Sequence, residues 1–205
     1  MVPLIDIAVE SPRWTEAGNE GEDPLSLDAL VEAAIGAAVA RAGIALHAEA
    51  EVSLLFCDDA FIRGLNHQWR GLDKPTNVLS FPSDEDLEDA RLLGDIIIAF
   101  ETSAGEAKAE AKSLAAHVSH LVVHGFLHLI GYDHEEAEEA EEMERMEQVI
   151  LADLGIADPY HGTAPVAPGG EAQVPNEALE TSGKRQDHSL GEILPGGMSR
   201  RLAGS

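Results

Sequence analysis

The chain has 205 residues, 44% of them hydrophobic, which is enough for one ordinary domain with a buried core. Its formal net charge of -25 argues against a protein that binds nucleic acid over a broad basic surface. The single cysteine, Cys57, excludes an internal disulfide framework and favours a reducing compartment. No apolar run approaches the roughly 20 residues of a membrane span, and residues 1–10 lack the features of a signal peptide. We therefore expect a cytoplasmic protein without a membrane partner.

The first third of the chain is predicted to alternate strands with helices. Residues 2–9 alternate apolar and polar side chains as a strand does, and residues 11–24, rich in proline, glycine and acids, indicate a loop. Residues 27–42 carry an apolar stripe at helical spacing. A second strand is predicted at 51–57 and a second helix from residue 58 to about residue 67.

The middle of the chain is predicted to carry two further strands. A polar, turn-rich loop spans residues 69–77 and leads to a short strand at 78–81. An acidic loop at 83–91 is followed by a strand rich in β-branched residues at 92–100.

The remainder of the domain is predicted to be helical. A helix over residues 106–113 continues or bends into a helix that carries four histidines, His117, His120, His124 and His128. A last helix is expected over about 135–154, opened by a capping box of Asp133 and Glu136. Its run of glutamates is expected to be a solvated helix face.

This order of elements, β-α-β-α-β-β-α-α-α, predicts an α+β domain over residues 1–157. Its small four-stranded mixed sheet would be covered by about five helices. Residues 158–205 are rich in Gly, Pro, Ala, Ser and Glu and lack a sustained apolar period. They predict a disordered acidic tail.

Three histidines, His124, His128 and His134, predict a metal site. The first two lie one turn apart on one face of a helix, so both imidazoles can reach one ion. Gly131 is suited to ending that helix in a left-handed turn, which lets His134 fold back to the same point. Three imidazoles with an open fourth position are typical of a catalytic zinc ion. The alternative is a helix with two core histidines before an ordinary turn, but three converging histidines are costly to bury without a shared partner.

Two further residues are expected to lie beside the metal without binding it. His120 precedes His124 by one helical turn, which suggests a supporting or packing role. Asp133 either orients a ligand histidine or caps the next helix, and one carboxylate can do both.

The histidine stretch closely resembles the signature of the YbeY family of ribosomal-RNA maturation endoribonucleases, His124-Gly125-x-x-His128-x-x-Gly131-Tyr132-Asp133-His134. Two upstream stretches agree with that family, Asn66-His67-x-x-Arg70-x-x-Asp73-x-x-Thr76-Asn77-Val78-Leu79-Ser80-Phe81-Pro82 and Leu93-Gly94-Asp95-Ile96. The order and spacing hold together over roughly residues 50–155.

The resemblance implies a bacterial, single-strand-specific endoribonuclease, a hydrolase of RNA phosphodiester bonds. Such proteins act in maturation of the 3′ end of small-subunit (16S) ribosomal RNA and in ribosome quality control. The resemblance also implies one zinc ion held by His124, His128 and His134, with His124 among the catalytic residues. Arg70 matches the family's functionally important arginine. The implied partners are ribosomal RNA and the small ribosomal subunit or its proteins, and DNA is not expected.

Arg70 has two interpretations from its chemistry. Its guanidinium can bind a phosphodiester bidentately and stabilise an anionic transition state. It can instead order its loop through an ion pair with Asp73 or with another acidic neighbour. Together with Lys74 and His67, Arg70 is a candidate substrate-binding residue, since basic residues around this motif could form a local positive cleft on an acidic protein.

Two other functions remain open on the residues alone. The spacing His-x3-His-x2-Gly-x2-His is that of metzincin metalloproteases, but their motif places a glutamate directly after the first histidine as general base. Gly125 stands there in this chain and has no side chain to offer. The other alternative is a non-catalytic ribosome-assembly factor in which zinc is structural, against which an open coordination position argues.

Overall fold

A computed structural model describes residues 1–17, 26–134 and 136–160 of the chain. Within these residues lie four strands, β1 Leu4–Val9, β2 Glu51–Cys57, β3 Val78–Pro82 and β4 Leu92–Ala99. The same residues form six helices, α1 Pro12–Ala17, α2 Leu27–Ala42, α3 Asp59–Arg70, α4 Phe100–Ala109, α5 Leu114–Leu129 and α6 Ala137–Asp153. None of the helices in these ranges combines the length and the hydropathy that a membrane crossing requires.

The four strands form one mixed sheet in the order β1-β2-β4-β3. Strands β1, β2 and β4 run parallel, and β3 pairs antiparallel with β4 at the edge. Ile96 of β4 lies between Leu54 of β2 and Ser80 of β3, and the next row places Asp95 between Ser53 and Phe81. The predicted α+β class and four-stranded mixed sheet are confirmed.

The main core lies on the face of the sheet that carries the even-numbered residues of β2 and β4. Val52, Leu54 and Phe56 are fully or almost fully buried there, together with Ile96 and Ile98. Helices α2, α5 and α6 add their buried apolar residues to this same cluster. On the opposite face, α3 packs against β3 and β4.

Helix α5 occupies the centre of the main core, and its residues from Leu121 to Leu129 are all buried. It packs on β3 and β4 and contacts α2, α4 and α6. Gly125 permits the close approach to the sheet, because a Cβ at this position would lie 2.9 Å from Ile96 Cγ2 and 3.0 Å from Ser80 Oγ. The histidine-bearing helix is therefore pressed against the sheet.

The element bounds differ from the predicted ones by three residues or more in three places. Within the predicted loop 11–24, residues Pro12–Ala17 form α1, while 18–25 lie outside the described residues. Helix α3 continues to Arg70, three residues past its predicted end. Helix α4 begins at Phe100, directly after β4, rather than at residue 106.

The predicted capping box of α6 is wrong. The helix begins at Ala137 after an N-cap at Glu136, for which the described residues show no side-chain capping bond. The Asp133 carboxylate instead accepts a hydrogen bond from the backbone N–H of His134 at 2.7 Å. Of the predicted tail, 161–205 lie outside the described residues, and 158–160 follow the turn after α6.

Candidate metal centre

Helix α5 presents His124 and His128 to one point. The two residues are one turn apart on a buried stretch of helix, with 8% and 3% of their surface exposed. Their Nε2 atoms lie 3.1 Å apart, and the ring centroids are separated by 4.6 Å. The predicted convergence of these two imidazoles is thus present in the structure.

The third histidine reaches this point through the turn that ends α5. Gly131 adopts a φ of 94°, in the left-handed region where a side chain is disfavoured. The turn is closed by hydrogen bonds from Gly131 N–H to the His128 carbonyl at 3.1 Å and from Tyr132 N–H to the Leu127 carbonyl at 3.0 Å. The His134 ring then lies 5.0 Å from the His128 ring and 5.7 Å from the His124 ring.

The three histidines could hold a metal ion. One ring nitrogen from each, offered by His124, His128 and His134, lies within 4.8 Å of the others. The Nε2 atom of His134 is buried and has no hydrogen-bond partner among the described residues. A buried nitrogen without a partner is costly unless something binds it. An ion shared with the two neighbouring imidazoles would satisfy this atom.

The second nitrogen of each helical ligand is held by an acceptor. His124 Nδ1 donates to Glu147 Oε1 at 2.6 Å, and His128 Nδ1 donates to the carbonyl oxygen of Tyr132 at 3.0 Å. A carboxylate and a carbonyl can only accept, so each ring carries a hydrogen on Nδ1, and in the neutral form of the ring Nε2 is the nitrogen that can bind a metal. Two facing lone pairs only 3.1 Å apart require a shared cation or proton between them.

The electrostatics of the site favour a neutral ring at His128. Burial, reinforced by the nearby charges of His124 and His134, lowers the pKa of His128 to about 3. A neutral imidazole is the form that binds a metal. The donor set and its surroundings therefore fit a metal ion.

Glu147 departs from the expectation for the glutamate run of α6. Glu138, Glu139 and their neighbours Glu141 and Glu142 are exposed, as predicted, but Glu147 is fully buried. Its position offered a signal, since it follows the buried Met143 by four residues and precedes the buried Ile150 by three. Sequence reasoning missed this residue because it grouped all the glutamates together.

Three donors surround the buried Glu147 carboxylate. They are His124 Nδ1, His120 Nε2 at 3.1 Å and the hydroxyl of Tyr160. Burial by itself raises the pKa of Glu147, but the charges and hydrogen bonds of His124 and His120 outweigh it and lower the pKa below its ordinary value. The carboxylate is therefore ionised, and it connects His120 to the ligand His124.

The two residues predicted to support the site both contact parts of it. His120 lies one turn before His124, as expected, and bonds to Glu147. Asp133 contacts the backbone of the ligand residue His134.

A second buried histidine on α5 has a separate partner. His117 Nε2 lies 2.9 Å from Glu106 Oε2, and the same oxygen accepts a hydrogen bond from Asn77 Nδ2 at 3.0 Å. This arrangement ties α4, α5 and the start of β3 together. His117 is not part of the three-histidine cluster.

The candidate substrate-binding residues lie at the end of α3 and in the loop after it. Arg70 is the last residue of α3 and is half-buried, whereas His67 and Lys74 are exposed. The Asp73 carboxylate, the ion-pair partner considered for Arg70, accepts hydrogen bonds from Arg63 Nε at 2.7 Å and Arg63 Nη2 at 2.9 Å.

The loop is fastened to α3 by Asn66. This residue is 1% exposed, and its Nδ2 donates to the Lys74 carbonyl at 2.7 Å. The backbone carbonyl of Asn66 accepts a hydrogen bond from the Leu72 N–H at 3.3 Å. Asn66 therefore holds the loop that follows Arg70.

Comparison with known proteins agrees with these motifs. Residues 17–155 match the family model described as Endoribonuclease YbeY. A relative from Methylocella silvestris, named Endoribonuclease YbeY, is 50% identical over 160 residues, covering 78% of this chain and 87% of the relative. Relatives of the same name from Paramagnetospirillum magneticum and Rhodopseudomonas palustris are each 50% identical, and the aligned parts cover 98% and 90% of those proteins. The chain belongs to the YbeY endoribonuclease family, which confirms the resemblance drawn from its three motifs.

Proposed function

We propose that this protein is a zinc-dependent, single-strand-specific endoribonuclease of the cytoplasm. Its proposed role is maturation of the 3′ end of 16S ribosomal RNA and ribosome quality control. The observation that carries the proposal is the convergence of three imidazole nitrogens within 4.8 Å, in a chain whose relatives are named endoribonucleases. The substrate and partners we propose are ribosomal RNA and the small ribosomal subunit or its proteins.

The donor set favours zinc as the metal. Three imidazoles from His124, His128 and His134, joined by no thiolate or carboxylate among the described residues, suit a borderline ion of flexible geometry. Three protein ligands leave a coordination position open, which is the pattern of catalytic rather than structural zinc sites. When bound, zinc in such a site supplies Lewis acidity toward a phosphoryl oxygen and activates water.

The protein's own residues supply orientation and charge around that centre. Glu147 and the Tyr132 carbonyl hold the rings of His124 and His128, and Asp133 holds the backbone of His134. We assign phosphate binding to Arg70, whose planar guanidinium can contact two phosphate oxygens. Lys74 and His67 are close to Arg70 in the sequence and are exposed to solvent. We propose that they contact the RNA backbone.

The overall charge of -25 shapes how RNA would bind. A local group of cations around Arg70 must attract phosphate against the acidic remainder of the molecule. Such binding is weak because the surrounding acids repel phosphate, and it is salt-sensitive because each phosphate contact releases counterions. A protein component of the small subunit would therefore help to bring the enzyme to its RNA.

Gly125 disfavours the metalloprotease alternative. A side chain at this position would begin against Ile96 and Ser80 of the sheet, so a glutamate there could not be added without moving α5. The chain thus lacks the glutamate that would act as general base in a metzincin-like mechanism, and the structure leaves no room for its side chain at this position. The open coordination position of a three-histidine site disfavours the assembly-factor alternative, in which zinc is structural.

The test compares three substitutions in the zinc-loaded full chain. RNA cleavage is followed on single-stranded precursor fragments of ribosomal RNA, with casein as the alternative substrate. We expect His128→Ala to abolish RNA cleavage by removing a ligand, and Arg70→Ala to reduce it by about 100-fold while zinc stoichiometry stays at that of the wild type. Arg41→Ala is the matched control, since it removes the same charge from an exposed ion pair with Asp153 on the α2–α6 side.

Each alternative has its own outcome. Cleavage of casein would replace the proposal with a metalloprotease. Absence of cleavage of either substrate, with ribosome association retained, would favour an assembly factor with structural zinc. RNA cleavage that survives in both His128→Ala and Arg70→Ala would indicate a contaminating nuclease and contradict the assignment.

A further inference from the structure

The Glu147 carboxylate is the only fully buried acid among the described residues, and its two oxygens have different partners. Oε1 accepts from Nδ1 of the ligand His124 at 2.6 Å. Oε2 accepts from His120 Nε2 at 3.1 Å and from the Tyr160 hydroxyl. The two donors on Oε2 fix the rotation of the carboxylate, which aims Oε1 at His124.

Tyr160 is placed for this contact by the segment that follows α6. Its ring packs edge-on against the His120 ring, with centroids 5.9 Å apart. Its backbone N–H donates to Asp158 Oδ1 at 2.9 Å. Lys112, in the turn before α5, donates to the Pro159 carbonyl at 3.5 Å. Asp158–Tyr160 therefore lie against the helices that build the histidine site, although the sequence groups them with the tail.

We propose that Tyr160 and Glu147 are positioning residues of the metal centre, through which the segment Asp158–Tyr160 sets the affinity of the site for zinc. The chain of contacts runs from the Tyr160 hydroxyl to Glu147 and from Glu147 to His124. This inference rests on the metal site of the proposed function. It assigns a role to residues outside the three ligands and outside the family motifs.

The physical basis is the effect of a carboxylate on a ligand imidazole. An acceptor at Nδ1 fixes the tautomer, holds the ring plane and increases the basicity of Nε2. Removal of such a partner typically lowers metal affinity by about 10–100-fold. Loss of the Tyr160 hydroxyl leaves the carboxylate in place with one fewer donor, so its effect is smaller.

The experiment measures zinc affinity without RNA, by competition between the metal-free full chain and a chromogenic chelator. We expect Glu147→Gln to weaken zinc binding by about 10–100-fold, and Tyr160→Phe to weaken it by less than Glu147→Gln. Glu106→Gln is the matched control, because Glu106 makes the same kind of contact with His117, which is not in the cluster. We expect its zinc affinity to equal that of the wild type.

A cobalt-loaded sample separates positioning from general stability. The visible absorption of Co²⁺ responds to ligand geometry, so we expect altered spectra in Glu147→Gln and Tyr160→Phe and an unchanged spectrum in Glu106→Gln. Thermal unfolding of the metal-free variants reports whether they fold. If Glu147→Gln fails to fold, Tyr160→Phe alone carries the test, since it removes one oxygen from a half-buried ring.

The outcomes separate this inference from the proposed function. Wild-type zinc affinity and an unchanged cobalt spectrum in folded Tyr160→Phe and Glu147→Gln would overturn the inference and leave the endoribonuclease intact. An equal loss in Glu106→Gln would also overturn it, because the effect would then belong to helix packing. A wild-type chain that binds zinc but cleaves no RNA removes the proposed activity while the positioning result stands. A wild-type chain that binds no zinc overturns both.

Discussion

Two of the histidine–glutamate contacts made by helix α5 look alike in distance and differ in chemistry. His117 lies 2.9 Å from Glu106, and His124 lies 2.6 Å from Glu147. His117 uses Nε2, the nitrogen at the tip of the ring, so its contact with the carboxylate occupies the atom that could reach an ion. His124 uses Nδ1, next to the backbone, and its Nε2 lies 3.1 Å from the Nε2 of His128. The nitrogen that is used separates a packing contact from a ligand.

The surroundings of the two histidine–glutamate pairs also favour a metal site at His124 and a packing contact at His117. One turn after His124 stands another histidine, His128, whereas one turn after His117 stands Leu121. The Glu147 side chain is 0% exposed and that of Glu106 is 37% exposed. An isolated histidine–glutamate pair with a partly exposed carboxylate fastens two helices together. A histidine–glutamate pair followed by a second histidine one turn later can bind an ion.

The largest effect should come from removing one of the histidine ligands that α5 contributes to the metal site. Removal of a ligand should cost more than the roughly 100-fold attributed to a supporting residue, so we expect zinc affinity to fall by more than 100-fold in His128→Ala. In His117→Ala we expect unchanged zinc affinity and a loss of about 1–3 kcal/mol of stability, because the Glu106 carboxylate loses one of its hydrogen-bond partners. Chelator competition and urea unfolding measure the two quantities.

A loss of zinc affinity in His117→Ala comparable to that in His128→Ala would contradict the comparison. It would mean that the whole length of α5, and not its second half, determines metal binding.

A smaller effect should come from the contact between the metal end of α5 and the sheet. A methyl group at Gly125 meets Ile96 and Ser80 at 2.9 and 3.0 Å, so Gly125→Ala should destabilise the metal-free protein by about 1–3 kcal/mol. Gly64 of α3 is the matched control, since a Cβ there meets nothing within 4 Å in the described part of the chain. We expect Gly64→Ala to stabilise by about 0.5–1 kcal/mol, because alanine is the better helix residue. Urea unfolding gives both values, and equal signs would show that α5 is less closely packed than its geometry indicates.

The same helix shows what could be predicted from the sequence. The spacing of His124 and His128 with Gly131 was sufficient to predict a shared site, since helical geometry and a left-handed turn are local properties. Glu147 lies 23 residues from its partner His124, and only the packing of α6 on α5 brings them together. The sequence shows neither the pairing of those helices nor which of many glutamates faces inward.

Local sequence signals also did not predict where helices α1 and α4 begin. Helix α1, Pro12–Ala17, has a single buried side chain, Trp14, whose Nε1 donates to the Cys57 carbonyl at 2.9 Å. That contact spans 43 residues, so the surrounding proline and glycine signals indicated only a loop. Helix α4 begins at Phe100 because Glu101 accepts from the Asp59 N–H, and Asp59 accepts from the Thr102 N–H. Both starts depend on tertiary partners that no local pattern shows.

The smallest effect concerns Asp95, a half-buried acid for which the described residues show no imidazole partner. Burial raises the pKa of Asp95 to about 6, although a hydrogen bond from Ser53 opposes the rise. Between about pH 4 and pH 6 the folded state therefore holds more protons than the unfolded state, whose aspartates titrate near 3.9. Stability consequently falls as the pH rises through this window and stays lower above it.

We therefore expect Asp95→Asn to be more stable than the wild type by about 1 kcal/mol at pH 8, a value reduced for the partial exposure of the side chain. The difference should vanish near pH 4, where the wild-type carboxyl is neutral. The exposed Asp73 is the control of opposite sign, because the guanidinium of Arg63 lowers its pKa, so Asp73→Asn should bring no gain at pH 8. Urea unfolding at pH 4, 6 and 8 measures the three proteins. A gain in Asp95→Asn that does not depend on pH would assign the effect to packing. It would then contradict the contrast between Asp95, whose pKa burial raises, and Glu147, whose pKa its histidine partners lower.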